Sequence, residues 1–168
     1  MNGFLRVVGV LNASIWLGAS VFFTFFVGPA FFSDAMITLL SRPYAGAAAQ
    51  IVLERYYTLH LLCGLIAVGH LVGESLYLGR PLLRWSLSLL AAILVLGLVG
   101  GMGIQPRLQQ LHRVMVTAAV PEAERAQAQR SFRIWHGVSQ AVNLLAMGGV
   151  TVYVLRITRQ GDNSRYRR

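Results

Sequence analysis

Four long apolar runs divide the chain: Val7–Ser33, Tyr56–Leu78, Trp85–Ile104 and Ile134–Leu155. Each is long enough to cross a bilayer as a helix, which takes about 20 residues. The polar stretches between them are short. The pattern predicts an all-α integral membrane protein, a four-helix bundle with short interfacial helices in the first and third connections. The first helix is expected over about Gly3–Val27, with a break at Gly28-Pro29, because proline lacks the donor and crowds the preceding turn. Asp34–Ser41 reads as a short interfacial helix ended by Arg42-Pro43, and Tyr44–Glu54 feeds the second span. Gly79-Arg80-Pro81 reverses the chain, and the third helix begins near Leu82. After Gln105-Pro106-Arg107 an amphipathic extension over Leu108–Val120 is expected. Pro121 then opens a solvated helix that leads into the fourth span, about Phe132–Arg156. Residues 1–157 read as one membrane domain and 158–168 as a basic polar tail.

Polar side chains inside the runs carry the candidate chemistry. In a span they normally face the bundle or a cavity. Asn12, Trp16 and Ser20 step by four and share a face, which predicts that this face points inward. His70 and Glu74 are also four apart. His60 lies ten residues before His70, which on an ideal helix sets the two about 80° apart. In the fourth run His136, Gln140 and Asn143 share a face, with Ser139 at its margin. Asn12, His70, Glu74, His136, Ser139, Gln140 and Asn143 therefore form a candidate intramembrane polar network. Its bland explanation is mutual hydrogen bonding of buried polar groups. Gly69 and Gly73, with Gly97 and Gly101, are candidate helix-packing positions. They can serve contacts within the bundle or with another subunit.

Charge refines this picture. Hydrophobic residues make up 55% of the chain, mean hydropathy is +0.57, and the net charge is +9. All 15 basic residues are arginine. They sit at the ends of the apolar runs and in the tail, which fits membrane anchoring rather than nucleic-acid binding. With four spans, eight arginines fall on the side of the termini and seven on the other. That slight excess orients both termini to the cytoplasm, in a bacterial inner membrane. The first run exceeds a signal-peptide core of about 7–15 residues and reads as a retained span. Cys63 lies in an apolar run and reads as a small buried hydrophobe.

The residue pattern resembles the transmembrane protein 205-like family of small four-span proteins, which has no settled biochemical role. The resemblance covers roughly Val8–Leu155. It rests on Phe22-Phe23-Thr24-Phe25-Phe26-Val27-Gly28-Pro29-Ala30-Phe31-Phe32, on Arg55-Tyr56-Tyr57, and on Gln105-Pro106-Arg107. Its clearest element is His136-Gly137-x-Ser139-x3-Asn143-Leu144. The family commonly has leucine before this histidine, where this chain has Trp135. The resemblance implies four helices and an integral membrane location; it supplies no reaction and no ligand.

No P-loop, dinucleotide fingerprint, lipase elbow or zincin motif occurs. The sequence points to a non-catalytic accessory or assembly subunit of a larger membrane complex. Its partners are then the lipid bilayer and other membrane subunits, with no nucleic acid. A small transporter or tolerance factor using His70 and Glu74 is the second reading. Haem or metal binding through His60, His70, His136 or Cys63 is the third. No clean ligand spacing supports that third reading, so no cofactor or metal is assigned.

Overall fold

The computed structural model describes residues 2–78 and 84–162. The reversing turn at Gly79-Arg80-Pro81, the arginines Arg165, Arg167 and Arg168, and the last part of the expected tail lie outside the described residues. Four helices are long and apolar enough to cross a membrane: α1 (Gly3–Ala30), α2 (Asp34–Tyr77), α3 (Arg84–Val116) and α4 (Glu122–Arg159). α4 stays helical to Asp162, past the boundary expected at 157. The helices form a ring in chain order, in which α1 packs on α2 and α4, and α3 packs on the same two from the opposite side. The protein is thus an all-α membrane-spanning four-helix bundle.

Each helix turns one narrow seam toward the others. In α2 it runs through Tyr56, His60, Cys63, Ala67 and His70, and in α3 through Ser86, Leu90, Ile93, Gly97, Gly100 and Ile104; all are buried. In α4 it runs through Ser139, Asn143, Ala146, Val150 and Tyr153, which are buried or half-buried. The steps alternate four and three residues, a 3.5-residue period characteristic of left-handed bundles. Ala13, Trp16, Cys63, Ala67, Leu90, Ile93, Val150 and Tyr153 meet at the centre.

Two prolines sit inside helices rather than ending them. Gly28-Pro29 does not break α1; the chain passes through it as helix to Ala30. A π turn over Phe23–Val27 comes immediately before, and the Gly28 N–H bonds back to the Phe23 carbonyl. α3 repeats the device, with a π turn over Val99–Ile104 and the Gln105 N–H bonded to the Gly100 carbonyl. The wider turn takes up the carbonyls that a proline would otherwise crowd and cannot pair. In α3 the extra residue also shifts the seam, so that burial continues at Leu108 and Leu111.

The connecting segments are continuations of the spans. α2 is bent at Ser41, whose φ of 56° and ψ of 157° interrupt the helix. Pro43 then falls in the first turn after the bend, where its missing donor has no helical acceptor to lose. The amphipathic extension of α3 ends at Val116. It docks back on α2 through His112, whose Nε2 lies 3.1 Å from the Pro43 carbonyl. Gly46 makes this possible, since a Cβ there would stand 2.7 Å from the His112 ring. Glu124 and Arg125 both donate their N–H groups to the Pro121 carbonyl at 3.1 Å, starting α4.

Ser41 occupies backbone space that glycine tolerates and other residues enter at a cost of about 1–3 kcal/mol. Ser41→Gly is therefore expected to stabilise the protein by about 1 kcal/mol. Thermal denaturation in mild detergent checks this; an unchanged or lower midpoint would show that the bend carries no strain.

Candidate functional site

The interior polar groups fall into two clusters separated by the apolar centre. α1 contributes a polar stripe in steps of four, Asn12, Trp16, Ser20 and Thr24. α2 runs antiparallel beside it with Cys63, His60 and Tyr56. Asn12 donates its Nδ2 to the Cys63 carbonyl at 2.9 Å. Trp16 donates its indole Nε1–H to His60 Nδ1 at 3.0 Å. Because Nδ1 accepts, the His60 proton is on Nε2, which faces the Ile93 carbonyl of α3 at 3.4 Å. One histidine thereby ties three helices together at mid-membrane.

Toward the α1–α2 connection the first cluster continues. The Tyr56 hydroxyl donates to Asn143 Oδ1 at 2.9 Å, and Asn143 Nδ2 donates to Thr24 Oγ1 at 2.8 Å. Thr24 in turn donates to the Ser20 carbonyl at 2.6 Å, and Ser20 to the Trp16 carbonyl at 2.8 Å. Ser20 Oγ also lies 3.3 Å from the Tyr56 hydroxyl. Phe23 stacks on Tyr56, with ring centroids 4.5 Å apart and planes 9° off parallel. α1, α2 and α4 are joined here by side-chain bonds alone. Every buried hydroxyl and amide named in this cluster has a partner, as the absence of competing water in lipid requires.

Glycines on α3 admit the large rings of α2. A Cβ at Gly97 would stand 2.6 Å from the His60 ring, one at Gly100 would stand 2.6 Å from the Tyr57 hydroxyl, and one at Gly101 3.2 Å from Tyr57 Cβ. Gly97, buried, and Gly101, half-buried, thus pack against α2 within the bundle. A Cβ at Gly69 would meet nothing within 4 Å, and one at Gly73 would reach only Leu5, at 4.0 Å. The GxxxG pair of α2 makes no close helix contact among the described residues.

The second cluster lies near the ends of the spans on the side of the termini. His70, Glu74, Ser86, Tyr153 and Arg156 line a small cavity there, with Leu71 and Ile157. Arg156 donates to Ser86 Oγ at 3.0 Å, and its guanidinium lies over the Trp85 ring, 5.7 Å from the centroid.

The structure distributes the seven polar candidates over separate places. Asn12 and Asn143 belong to the first cluster, His70 and Glu74 to the second. Ser139 is half-buried. His136 and Gln140 are exposed. The His136 ring stacks on Phe132 at 5.9 Å, with planes 7° apart. Phe132 in turn meets His112 of α3 at 6.4 Å. His136 stands 17 positions before Tyr153 on the same helix, about 25 Å along the axis. It and Glu74 are therefore at opposite ends of the bundle and share no set of contacts. Gln140 follows the seam residue Ser139 by one position, and one helical step of about 100° turns it outward.

Sequence reasoning missed the central roles of Tyr56, His60 and Thr24. The signal was present: the α1 stripe extends one more step to Thr24, and Tyr56, His60, Cys63, Ala67 and His70 have heptad spacing. Reading α2 with a period of 3.6 rather than 3.5 residues set His60 and His70 apart. Among the described residues no three His, Cys, Asp or Glu side chains gather in a group able to hold a metal ion.

Residues 11–117 match the family described as "Domain of unknown function (DUF4149)". The chain belongs to the DUF4149 family. This agrees with its resemblance to transmembrane protein 205-like proteins, four-helix membrane proteins of unknown biochemical role. The match covers α3 and ends before α4. Among similar proteins is an "Uncharacterized protein" of the bacterium Aquifex aeolicus (strain VF5). It is 31% identical over 147 residues, which cover 85% of this chain and 92% of the relative. No solved structure matches.

The Tyr56–Asn143 bond should be measurable as a coupling. Interhelical hydrogen bonds in membranes contribute about 0.6 kcal/mol on average and up to about 1.7 kcal/mol. A double-mutant cycle of Tyr56→Phe and Asn143→Leu, read by thermal stability in detergent, is expected to give about 1 kcal/mol of coupling. The same cycle on Glu74→Gln and His136→Ala is expected to be additive. The reverse ranking would contradict the two-cluster description.

Proposed function

We propose that this protein, a small integral membrane protein of the DUF4149 family, is a non-catalytic accessory or assembly subunit of a larger membrane complex. We further propose that it lies in the bacterial inner membrane with both termini cytoplasmic. The observation that carries the subunit reading is the outer face of α4. Gly137, Ala141, Leu144, Gly148, Thr151 and Leu155 are all exposed there and follow steps of four and three. Gln140 is exposed beside this stripe, about 9 Å into the apolar run from Ile134. An amide facing hydrocarbon is costly, and another helix can accept and return its hydrogen bonds. Gly137 and Gly148 would let that helix approach closely; a Cβ at either meets nothing within 4 Å among the described residues.

The remaining surface supports the same reading. Only 17% to 28% of each span's most apolar window is buried within the chain. Phe22, Phe25 and Phe26 project from α1 at 55% exposure or more. Lipid can cover these rings, but lipid tails cannot serve the Gln140 amide.

The transporter or tolerance-factor reading has less support. Trp16, Leu90, Ile93 and Val150 are at most 1% exposed and fill the centre of the bundle. A solute path through one copy meets that plug, so transport would need a pathway between copies.

Purification from the native membrane in mild detergent, followed by native electrophoresis and mass spectrometry, tests the subunit reading. The chain is expected to migrate in a hetero-complex, and Gly148→Leu or Gln140→Leu is expected to release it. Recovery of only a monomer or homo-oligomer would count against the reading. Proton-coupled flux in proteoliposomes, lost in Glu74→Gln, would transfer the assignment to the transporter class. Sided labelling of cysteines introduced near residue 160 tests the orientation; modification from the periplasmic side would reverse it.

A further inference from the structure

Two residues that line the cavity at the ends of the spans each carry a polar atom that the fold buries without a partner, His70 Nε2 and the Tyr153 hydroxyl. The two residues are 7% and 5% exposed. Both line the same cavity, from α2 and from α4. Orphaned polar groups at that depth are costly, typically about 1–3 kcal/mol each. Both residues line one cavity, so one ligand there can answer both.

The chemistry of the two atoms selects the ligand. An imidazole nitrogen and a phenolic hydroxyl can each donate or accept. Their common partner must do both. The cavity's volume is about 20 Å³, enough for one water. The charged groups at the cavity have opposite sign, Glu74 from α2 and Arg156 from α4. A simple anion would meet the carboxylate and a simple cation the guanidinium. Ser86 completes the lining from α3 and already accepts from Arg156. α1 contributes Gly9, whose lack of a side chain lets the His70 ring lie against its backbone; a Cβ there would be 2.5 Å from Nε2. Glu74 and Arg156 are only half-buried and form the outer rim, on the side of the termini.

Toward mid-membrane the surroundings change. Ala67, Leu90 and Val150 are fully buried, and the Trp16 indole closes on His60. His60 has both ring nitrogens engaged, by Trp16 and by the Ile93 carbonyl. Nothing on that ring calls for water.

We propose that this cavity is a binding site for a single water molecule, hydrogen-bonded to both His70 Nε2 and the Tyr153 hydroxyl. That water exchanges with bulk solvent on the side of the termini. The Trp16–His60 plug ends the hydrated zone, so the bundle has a wet end and a dry centre. The site is independent of whether α4 docks on a partner.

The test uses the full chain in lipid bilayers, labelled with 15N-histidine, and magic-angle-spinning NMR with magnetisation transferred from water. His70 Nε2 is expected to receive signal directly from water, and the His60 ring at the same mixing time is expected to stay dark. This comparison needs no variant. Tyr153→Phe is expected to reduce the transfer to His70, while an unshifted His60 resonance reports an intact bundle. A dark His70 in the wild-type chain would overturn the site, and equal transfer to His60 would overturn the dry plug. Transfer to His70 unchanged by Tyr153→Phe would overturn the bridge. A 31P contact to His70 in place of the water contact would give the cavity to a lipid phosphate and likewise overturn the proposal.

Discussion

The bond from the Trp16 indole to His60 Nδ1 sets the geometry of this bundle. It requires two large rings to share the narrow space between α1, α2 and α3. They meet edge to face, with centroids 5.1 Å apart and planes at 76°. That space exists only because α3 has no side chain at Gly97. The bond also fixes the tautomer of His60 and so directs its remaining proton toward the Ile93 carbonyl. In hydrocarbon, an indole N–H and an imidazole that missed each other would both be left unsatisfied. The register of three helices is therefore tied to one pair of side chains, more strongly than apolar packing alone would tie it. Lipid is as apolar as leucine, and burial of leucine supplies little drive between helices in a membrane.

The remaining interior follows from that register. Tyr57 is the next large ring along α2 and finds Gly100 and Gly101 on α3. Tyr56 turns the other way, toward Thr24 and Asn143, and brings in α4. Every second or third turn, the bundle answers a polar side chain with a specific partner on a neighbouring helix. Helix sliding would break several of these bonds together. This makes the chain a rigid body whose outer surface has a fixed pattern.

The number of spans and their approximate limits were legible in the sequence, because length and hydropathy are one-dimensional properties. The inward face of α1 was legible too, since Asn12, Trp16 and Ser20 mark it without ambiguity. The finer arrangement was not, for two physical reasons. A bundle with a 3.5-residue seam reassigns residues that an ideal helix places 80° apart, and His60 and His70 are the case in point. The outward turn of Gln140 and the inward turn of Asn143 depend on where the seam of α4 falls, a choice made by neighbouring helices. The packing of Gly97 and Gly101 shows the same limit. Small residues announce close approach, but only the register tells whether the approaching group is a ring of the same chain or a backbone of another.

The paired π turns have a consequence for how this fold can change over generations. Each amounts to one residue more than a regular helix would hold, placed just before Pro29 and Pro106. Deleting a single residue such as Gly103, whose surroundings are open, would restore a regular helix. The wide turn lets five residues cover the rotation that four cover in an α-helix, so Gln105, Leu108 and Leu111 would keep the face that is now buried. The deletion would be felt at Pro106 instead. The prolines act as markers that preserve the insertion, since a regular helix would bring back the clash with the carbonyl four residues earlier. Length in α1 and α3 is thus far less free to drift than in the connections, even though both π turns look like imperfections.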